Sequence, residues 1–394
     1  MKYITIIEKM AFSALLAILL ISCGDGINLE NRDNEFIPNY SLTIANNEVV
    51  SNMQSGIIAI EDDTFIMAVE SVNNTIQLVE ISQEFSDQEW NLNFSNVFSV
   101  GTGHLSFFDS LANEYLVGYT QSDGTMVLQL IDDDFNLTTT NNNLEAFIDA
   151  FYNDIDSVLL SSFTYVQESD EILLGGKVYT QGTTFSCILN LDRQLNPIWI
   201  KTYFENSNIV DVVSINRDTF YLINNSPEGA DLIRDNENSL VYSKYDLSND
   251  QLFFGKQSFI DHQRLFLIGI HNDIGRTIEV DINSASAFIN EIEIYPVTDL
   301  NAVFLSRDNI VTAGIKKENG NDHQFSSELG EFGSIWCHRY VDETYHKILD
   351  ILEMPGKGIL ISSIVNQEGS FFIHLTRIDE EGATFVNEYT ENCI

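Results

Sequence analysis

One unit recurs along this chain: a short apolar run, a polar turn, then another apolar run. Its clearest copy reads Glu171-Ile172-Leu173-Leu174-Gly175-Gly176, then Cys187-Ile188-Leu189-Asn190-Leu191-Asp192, then Pro197-Ile198-Trp199-Ile200-Lys201-Thr202-Tyr203. A second has Thr64 to Ala68, Ile76 to Ile81 and Glu89-Trp90. A third has Ile310 to Gly314, then Leu329 through Trp336 to Tyr340, and the last has Gly358 to Ile361, Phe371 to Leu375, Ile378 to Gly382 and Phe385 to Tyr389. Runs this short, rich in Ile, Val, Phe and Tyr and bounded by Asp, Asn and Gly, are strands rather than solenoid helices.

The tryptophans test the repeat. Trp90, Trp199 and Trp336 are the three in the chain, and each follows the turn that ends a third strand. Weaker copies fill the gaps: Tyr115 to Gly118 with Val127 to Asp132, Thr219 to Leu222 with Val241 to Asp246, and Leu265 to Gly269 with Thr277 to Asp281. Taking the residue before each turn as an anchor gives Ile81, Ile131, Leu191, Tyr245, Val280, Leu329 and Ile378, spaced by 50, 60, 54, 35, 49 and 49 residues. A period near 50 with four short strands per unit is that of a β-propeller blade. The spacing of 35 is the irregular one: either that blade is short or an anchor is misplaced.

A four-stranded sheet with two apolar faces cannot bury both alone; a ring of such sheets buries every face. The expected fold is therefore all-β, a propeller over residues 41–394 with seven four-stranded blades, six or eight being the neighbouring counts. Closure is expected from the alternating segment Tyr40-Ser41-Leu42-Thr43-Ile44 pairing with the last blade. Leu144 to Ile148 reads as a helical turn inside an insertion. Turns such as Asp192-Arg193-Gln194 and Asp379 to Gly382 suit tight β-turns, in which Asp caps its own backbone. This grammar resembles the propeller repeats common in exported lipoproteins of Bacteroidota, with strand, Asp, turn, Trp and Tyr in order. The resemblance covers about residues 50–394 and implies a fold, not an activity; several units here lack the Trp.

The N-terminus says where such a body is expected to reside. Lys2 and Lys9 precede an apolar stretch from Met10 to Ile21, too short to span a bilayer and of secretory-signal length. It ends in Leu20-Ile21-Ser22-Cys23, which resembles a bacterial lipobox. Residues 1–22 are thus expected to be a lipoprotein signal peptide. Cys23 is the expected lipidation site, and residues 23–40 a polar tether. Two or three acyl chains hold a protein stably where one is marginal. The expected location is the bacterial cell envelope, on the outer membrane, with the membrane itself as a partner through the lipid.

The formal charge is −40 and becomes −41 once residues 1–22, with two lysines and one glutamate, are removed. Such a body repels phosphate backbones, so no nucleic-acid partner is expected. Of the four cysteines, Cys187, Cys337 and Cys393 remain beside Cys23. None has zinc-like spacing, and buried or free thiols are expected, with room for one disulfide.

No sialidase-type box, HExxH, P-loop, GxSxG or EF-hand loop occurs. Asp132-Asp133-Asp134 lacks the spacing and glycine of a calcium loop and reads as a solvated turn. His338, Asp342 and His346 have helical spacing, but they fall in a strand and a turn, where that spacing brings nothing together. His262 and His271 flank a predicted strand as surface or satisfied histidines, and His104, His323 and His374 stand apart. The tryptophans could be sugar platforms, but their fixed repeat position argues for framework packing. No catalytic, cofactor or metal residue is assigned and no cofactor is expected. The leading expectation is a binding or scaffold module for a protein, peptide or glycan, with a structural subunit of an envelope complex as a variant. The alternative is a glycan-active enzyme with carboxylates gathered at the hub.

Overall fold

A computed structural model describes residues 40–42, 56–61, 64–70, 74–86, 89–151, 155–216, 218–236, 243–246, 253–261, 264–281, 290–304, 309–318, 321–330, 333–340, 345–354, 358–367, 370–379 and 390–392. They form seven antiparallel sheets. Blade 1 holds β2 (Gly56–Glu61), β3 (Thr64–Glu70), β4 (Thr75–Ser86) and β5 (Glu89–Thr102), and blade 2 holds β6 (His104–Leu111), β7 (Glu114–Thr120), β8 (Met126–Asp132) and β9 (Leu137–Asn141). Blade 3 holds β10 (Ile155–Val166), β11 (Glu171–Thr180), β12 (Thr183–Asp192) and β13 (Pro197–Glu205), and blade 4 holds β14 (Asn208–Ser214), β15 (Thr219–Ser226), β16 (Gly229–Asn236) and β17 (Ser243–Asp246). Blade 5 holds β18 (Phe253–Asp261), β19 (Arg264–His271), β20 (Ile274–Asp281) and β21 (Asn290–Pro296). Blade 6 holds β22 (Asp299–Phe304), β23 (Ile310–Glu318), β24 (Asn321–Gly330) and β25 (Gly333–Tyr340), with β29 (Thr390–Asn392) as a fifth strand. Blade 7 holds β26 (Tyr345–Met354), β27 (Gly358–Gln367) and β28 (Ser370–Ile378), completed on the outside by β1 (Tyr40–Leu42).

The first strands of successive blades touch in a closed circuit, β2 to β6 to β10 to β14 to β18 to β22 to β26 and back to β2. The chain is a seven-bladed β-propeller. Its core is seven apolar clusters, one at each junction between blades. At the first, Ile66, Ala68 and Leu78 meet Leu105, Tyr115 and Val117; the opposite face of the same β3 sends Phe65, Met67 and Val69 against Leu360, Ile364 and Leu375 of blade 7. Side chains alternate between the faces of a strand, so a middle strand apolar at every position serves two junctions at once. That explains the continuous apolar runs in the repeat.

A small residue in a second strand makes room for a large neighbour in the inner strand of the same blade. A Cβ on Gly118 would lie 2.3 Å from the Phe107 ring, so the glycine there makes room for that ring. The turns also repeat. Asp132 accepts the Asn136 N–H at 2.7 Å and its amide at 3.1 Å, and Asp192 accepts the Asn196 N–H at 2.7 Å and its amide at 2.9 Å. Each turn carries a residue in left-handed conformation, Phe135 and Leu195, both at φ 61°. The Asp132-Asp133-Asp134 run is therefore the start of a β-turn.

Closure follows the expectation: Tyr40, Ser41 and Leu42 pair with Leu375, His374 and Ile373. Thr43 and Ile44 lie outside the described residues, as do Phe385 to Tyr389; the outer place in blade 7 belongs to β1. Leu144–Asp149 is a short helix, α1, with Leu144 and Ile148 buried. One anchor is corrected. Tyr245 lies in the outer strand β17, and the residue opposite Phe220 in the third strand is Asp235. The corresponding pairs elsewhere are Phe65 with Ile81 and Ile172 with Leu191. Moving the anchor from Tyr245 to Asp235 removes the short spacing.

Candidate functional site

Each blade begins at the axis with a strand that has one unpaired edge. Buried backbone groups need partners, and side chains of the preceding blade supply them. Ser161 of β10 donates to the Ile209 carbonyl of β14 at 2.8 Å. Asp211 of β14 accepts both the N–H and the hydroxyl of Ser258 in β18, at 2.5 and 2.8 Å. Gln257 of β18 accepts the Ala302 N–H of β22 at 2.7 Å. Asp299 of β22 accepts the Ile348 N–H of β26 at 2.9 Å, and Asn301 donates to the Leu349 carbonyl at 3.1 Å. Asp350 of β26 accepts the Ile57 N–H of β2 at 2.8 Å.

A shared backbone device aims three of these groups. Asp211, Gln257 and Asp350 each follow a register shift in their inner strand, at Ile209/Asp211, Gly255/Gln257 and Ile348/Asp350. A bulge bends the strand and re-aims the next side chain. A second tier comes from the ends of second strands. Buried Glu70 meets His104 Nδ1 at 3.0 Å, and Asn225 brackets Gly255, donating to its carbonyl at 2.8 Å and accepting its N–H at 3.0 Å. Between blades 2 and 3 the links lie further out: Arg193 with Glu114 at 3.1 Å, and Asn141 donating to the Leu195 carbonyl at 2.6 Å.

Desolvation dominates the electrostatics of this ring. It pushes the Asp350 carboxyl up to about 7, with a smaller push from the Asp109 charge, against the hydrogen bonds from Ile57 and Ile351. It pushes Asp211 up to about 6 in the same way. Asp109 is exposed by surface area, yet desolvation raises its carboxyl too. Asp109 lies on β6, the inner strand of blade 2. Its hydrogen bonds are to the adjacent Ser110. On the far side, Lys256 lies 3.6 Å from Asp299. Burial holds Lys347 below the usual lysine range, with Asp299 opposing and Lys256 reinforcing that shift.

His104, Phe254, Lys256, Asp299 and Lys347 all fall in the first four residues of their inner strands. The repeated meander starts every inner strand from the same side, so these groups share one mouth of the channel. Phe254 is 37% exposed there, and the Lys256 and His104 side chains 42% and 52%. Phe254 and Lys256 of blade 5 and His104 of blade 2 thus lie at the same end of their inner strands.

The tryptophans behave as framework. Trp199 stacks on Phe220 of the next blade with ring centroids 6.0 Å apart, and Lys201 lies 5.7 Å over the Trp199 ring. Trp336 packs against the apolar cluster shared with blade 7 and donates to Glu328 at 2.5 Å. The side chain of Trp90, at the start of β5, lies outside the described residues. His338 is in β25 and His346 in β26, on different blades; Asp342 and the His346 side chain lie outside the described residues, as do His262, Cys23 and the tether to Asn39. His271 is buried and contacts the Asn272 amide at 2.8 Å. Among the described residues no three His, Cys, Asp or Glu side chains are grouped to hold a metal ion, and no helix is long and apolar enough to cross a membrane. Sequence reasoning did not single out Asp211 or Asp350. The signal was present: an acid inside an otherwise apolar run, Val210-Asp211-Val212 and Leu349-Asp350-Ile351.

No protein-family model matches the chain, and no curated protein matches it. Solved structures resemble it at low identity. A proposed 6-phosphogluconolactonase from Bacteroides uniformis is 12% identical over 70% of this chain and 80% of that one, with a TM-score of 0.45. A protein of unknown function from Bacteroides caccae is 10% identical over 66% and 89%, with a TM-score of 0.43. BBS1N, solved in complex with ARL6DN, is 7% identical over 88% and 99%, with a TM-score of 0.49. None of the three likenesses bears on what this chain binds. The chain is a β-propeller matched to no specific family.

Proposed function

We propose that this propeller is a lipid-anchored binding module of the bacterial envelope, held by Cys23, whose partner docks at the channel mouth carrying His104, Phe254 and Lys256. The observation that carries this reading is the use of the hub acids. Asp211, Asp299 and Asp350 each hold a backbone N–H of the next blade. Acids tied in this way fix the ring and leave a rigid rim on which a peptide, protein or glycan is recognised. An exposed aromatic beside a cation is suited to both kinds of partner.

The test has two arms. Metabolic labelling with an alkynyl fatty acid should mark the wild-type chain and fail to mark Cys23→Ala. Photo-crosslinking in intact envelopes from position 254 should give one discrete adduct, while the same probe at position 198, on the outer strand of blade 3, should not. Labelling that persists in Cys23→Ala sinks the anchor; equal adducts from both positions sink the docking site.

One observation favours the enzyme alternative. Asp109 and Asp350 both lie on inner strands, β6 and β26, and both carboxyls are raised chiefly by burial, with the Asp109 charge adding to the rise at Asp350. Glycan hydrolysis needs a protonated and an ionised carboxyl on either side of the bond. Hydrolysis of an envelope glycan that disappears in both Asp109→Asn and Asp350→Asn would establish that reading instead.

A further inference from the structure

Cys337 in β25 is disulfide-bonded, whereas Cys187 is a free thiol buried in the junction between blades 2 and 3. The chain has two other cysteines, Cys23 and Cys393. Strand β29 pairs antiparallel with β25 as Tyr340 with Thr390, Arg339 with Glu391 and His338 with Asn392. Continued by one residue, that ladder would bring position 393 opposite Cys337. Directly opposed residues on antiparallel strands have Cα atoms about 4.5–5.5 Å apart, inside the range a disulfide spans. Cys393 itself lies outside the described residues.

We infer that Cys337 is joined to Cys393, and that this bond is a clasp for the closing blade. The segment between the two cysteines contains β26, β27 and β28, every strand of blade 7 except β1. Among the described residues, blade 7 alone takes a strand from before blade 1, through the three-residue pairing of β1 with β28. Its other end returns to blade 6 through the three pairs of β29. Two ladders this short hold weakly alone. A covalent bond between the last residues of the chain and the outer strand of blade 6 makes the segment that forms blade 7 a closed loop on its neighbour, which restricts its unfolded states.

The chemistry is ordinary thiol oxidation. The two thiols lose two protons and two electrons, and a disulfide-bearing thiol oxidoreductase takes the electrons and becomes a dithiol. That requires an oxidising compartment. The cysteines then divide without remainder: Cys23 is left for lipid, Cys187 is inert, its thiol pushed up to about 12 by burial, and the other two are paired. The pairing rests on the ladder and stands whether or not the channel mouth binds a partner.

The experiment is peptide mapping of the full chain purified from envelopes without reductant, with thiols alkylated under native and then denaturing conditions. The expected result is a linked pair containing Cys337 and Cys393, with Cys187 alkylated only after denaturation. A linkage of Cys337 to Cys23 or Cys187, or free thiols at 337 and 393, overturns the pairing. Hydrogen exchange on Cys337→Ser and Cys393→Ser tests the role. Both variants should raise exchange at least tenfold in β26 to β28 while blades 2 to 4 keep wild-type rates. Unchanged exchange in blade 7 with the linked pair present overturns the clasp.

Discussion

Asp350, in the last inner strand, accepts the backbone N–H of Ile57, in the first, at 2.8 Å. This one hydrogen bond joins residues 293 positions apart and closes the axial ring. Its acceptor is held partly desolvated, with its carboxyl up at about 7. The sign of the pH dependence follows. A carboxyl whose folded value is above its unfolded value binds more protons in the folded state, so stability falls as pH rises between the two values. From Asp350 the protein should lose stability from about pH 4 to about pH 7, with Asp211 adding to the loss up to about pH 6. Thermal melts across that range should show it, and Asp350→Asn should flatten the profile. A profile in Asp350→Asn as steep as wild type would refute the assignment.

Removing the acceptor altogether is a different matter. Asp350→Ala leaves the Ile57 N–H without its partner, and a buried unsatisfied donor costs about 1–3 kcal/mol. Urea melts at pH 8 should show that loss, whereas Asp350→Asn, which keeps a carbonyl for Ile57, should lose less. Equal losses would mean that the contact at Ile57 contributes nothing.

The repeat period, the strand class, the tryptophan position and the role of Tyr40 in closure were all legible, because each is a pattern along the chain. Asp235 hid the fourth blade: the position opposite Phe220 is apolar in other copies, and here an acid fills it. It is tolerated because Lys201 and Tyr203 of the neighbouring blade reach Asp235 at 3.2 and 2.7 Å. That compensation is contact between blades, which no single repeat displays. The partners of the hub acids were illegible for the same reason, although an acid inside an apolar run marks each position. Asp211 and Asp350 are acids in apolar runs until the ring brings Ser258 and Ile57 to them. The fifth strand on blade 6 could not be read from its three residues.

The two equivalent turns make a controlled comparison. Asp132 and Asp192 each hold an Asn four residues on and a left-handed residue between them. Hydrogen bonds to charged acceptors contribute about 1.5–3 kcal/mol, less when exposed. Asp192→Ala and Asp132→Ala should each lower the urea midpoint, and the double variant should lower it by close to their sum, since each Asp side chain bonds only within its own turn. Asp192→Asn, which still accepts a hydrogen bond, should recover part of the loss.

Gly118 is predicted to be intolerant because Phe107 occupies the space its Cβ would need. Overpacking of a filled core costs about 1–3 kcal/mol, so Gly118→Ala should lower the melting temperature by several degrees. Phe107→Leu in the same background should return part of that loss, although alone it is destabilising by removing ring contacts with Phe163, whose centroid is 5.6 Å away. Coupling of the two changes in a double-mutant cycle is the reading that matters: additive losses would place the ring elsewhere.

Trp199 separates framework from recognition. Its ring covers Phe220 and lies under Lys201, which in turn bonds Asp235. Truncation of a large aromatic costs about 3–5 kcal/mol when fully buried. Trp199 is only partly buried, so Trp199→Ala should fall near 3 kcal/mol, with Trp199→Phe recovering much of it because stacking on Phe220 persists. A sugar platform predicts the reverse ranking, with stability hardly moved and glycan binding lost in both variants. Urea melts beside glycan-array binding on the same two proteins distinguish them. The framework reading requires that the stability loss track ring size and that any binding at the His104, Phe254 and Lys256 mouth survive in the folded Trp199→Phe protein.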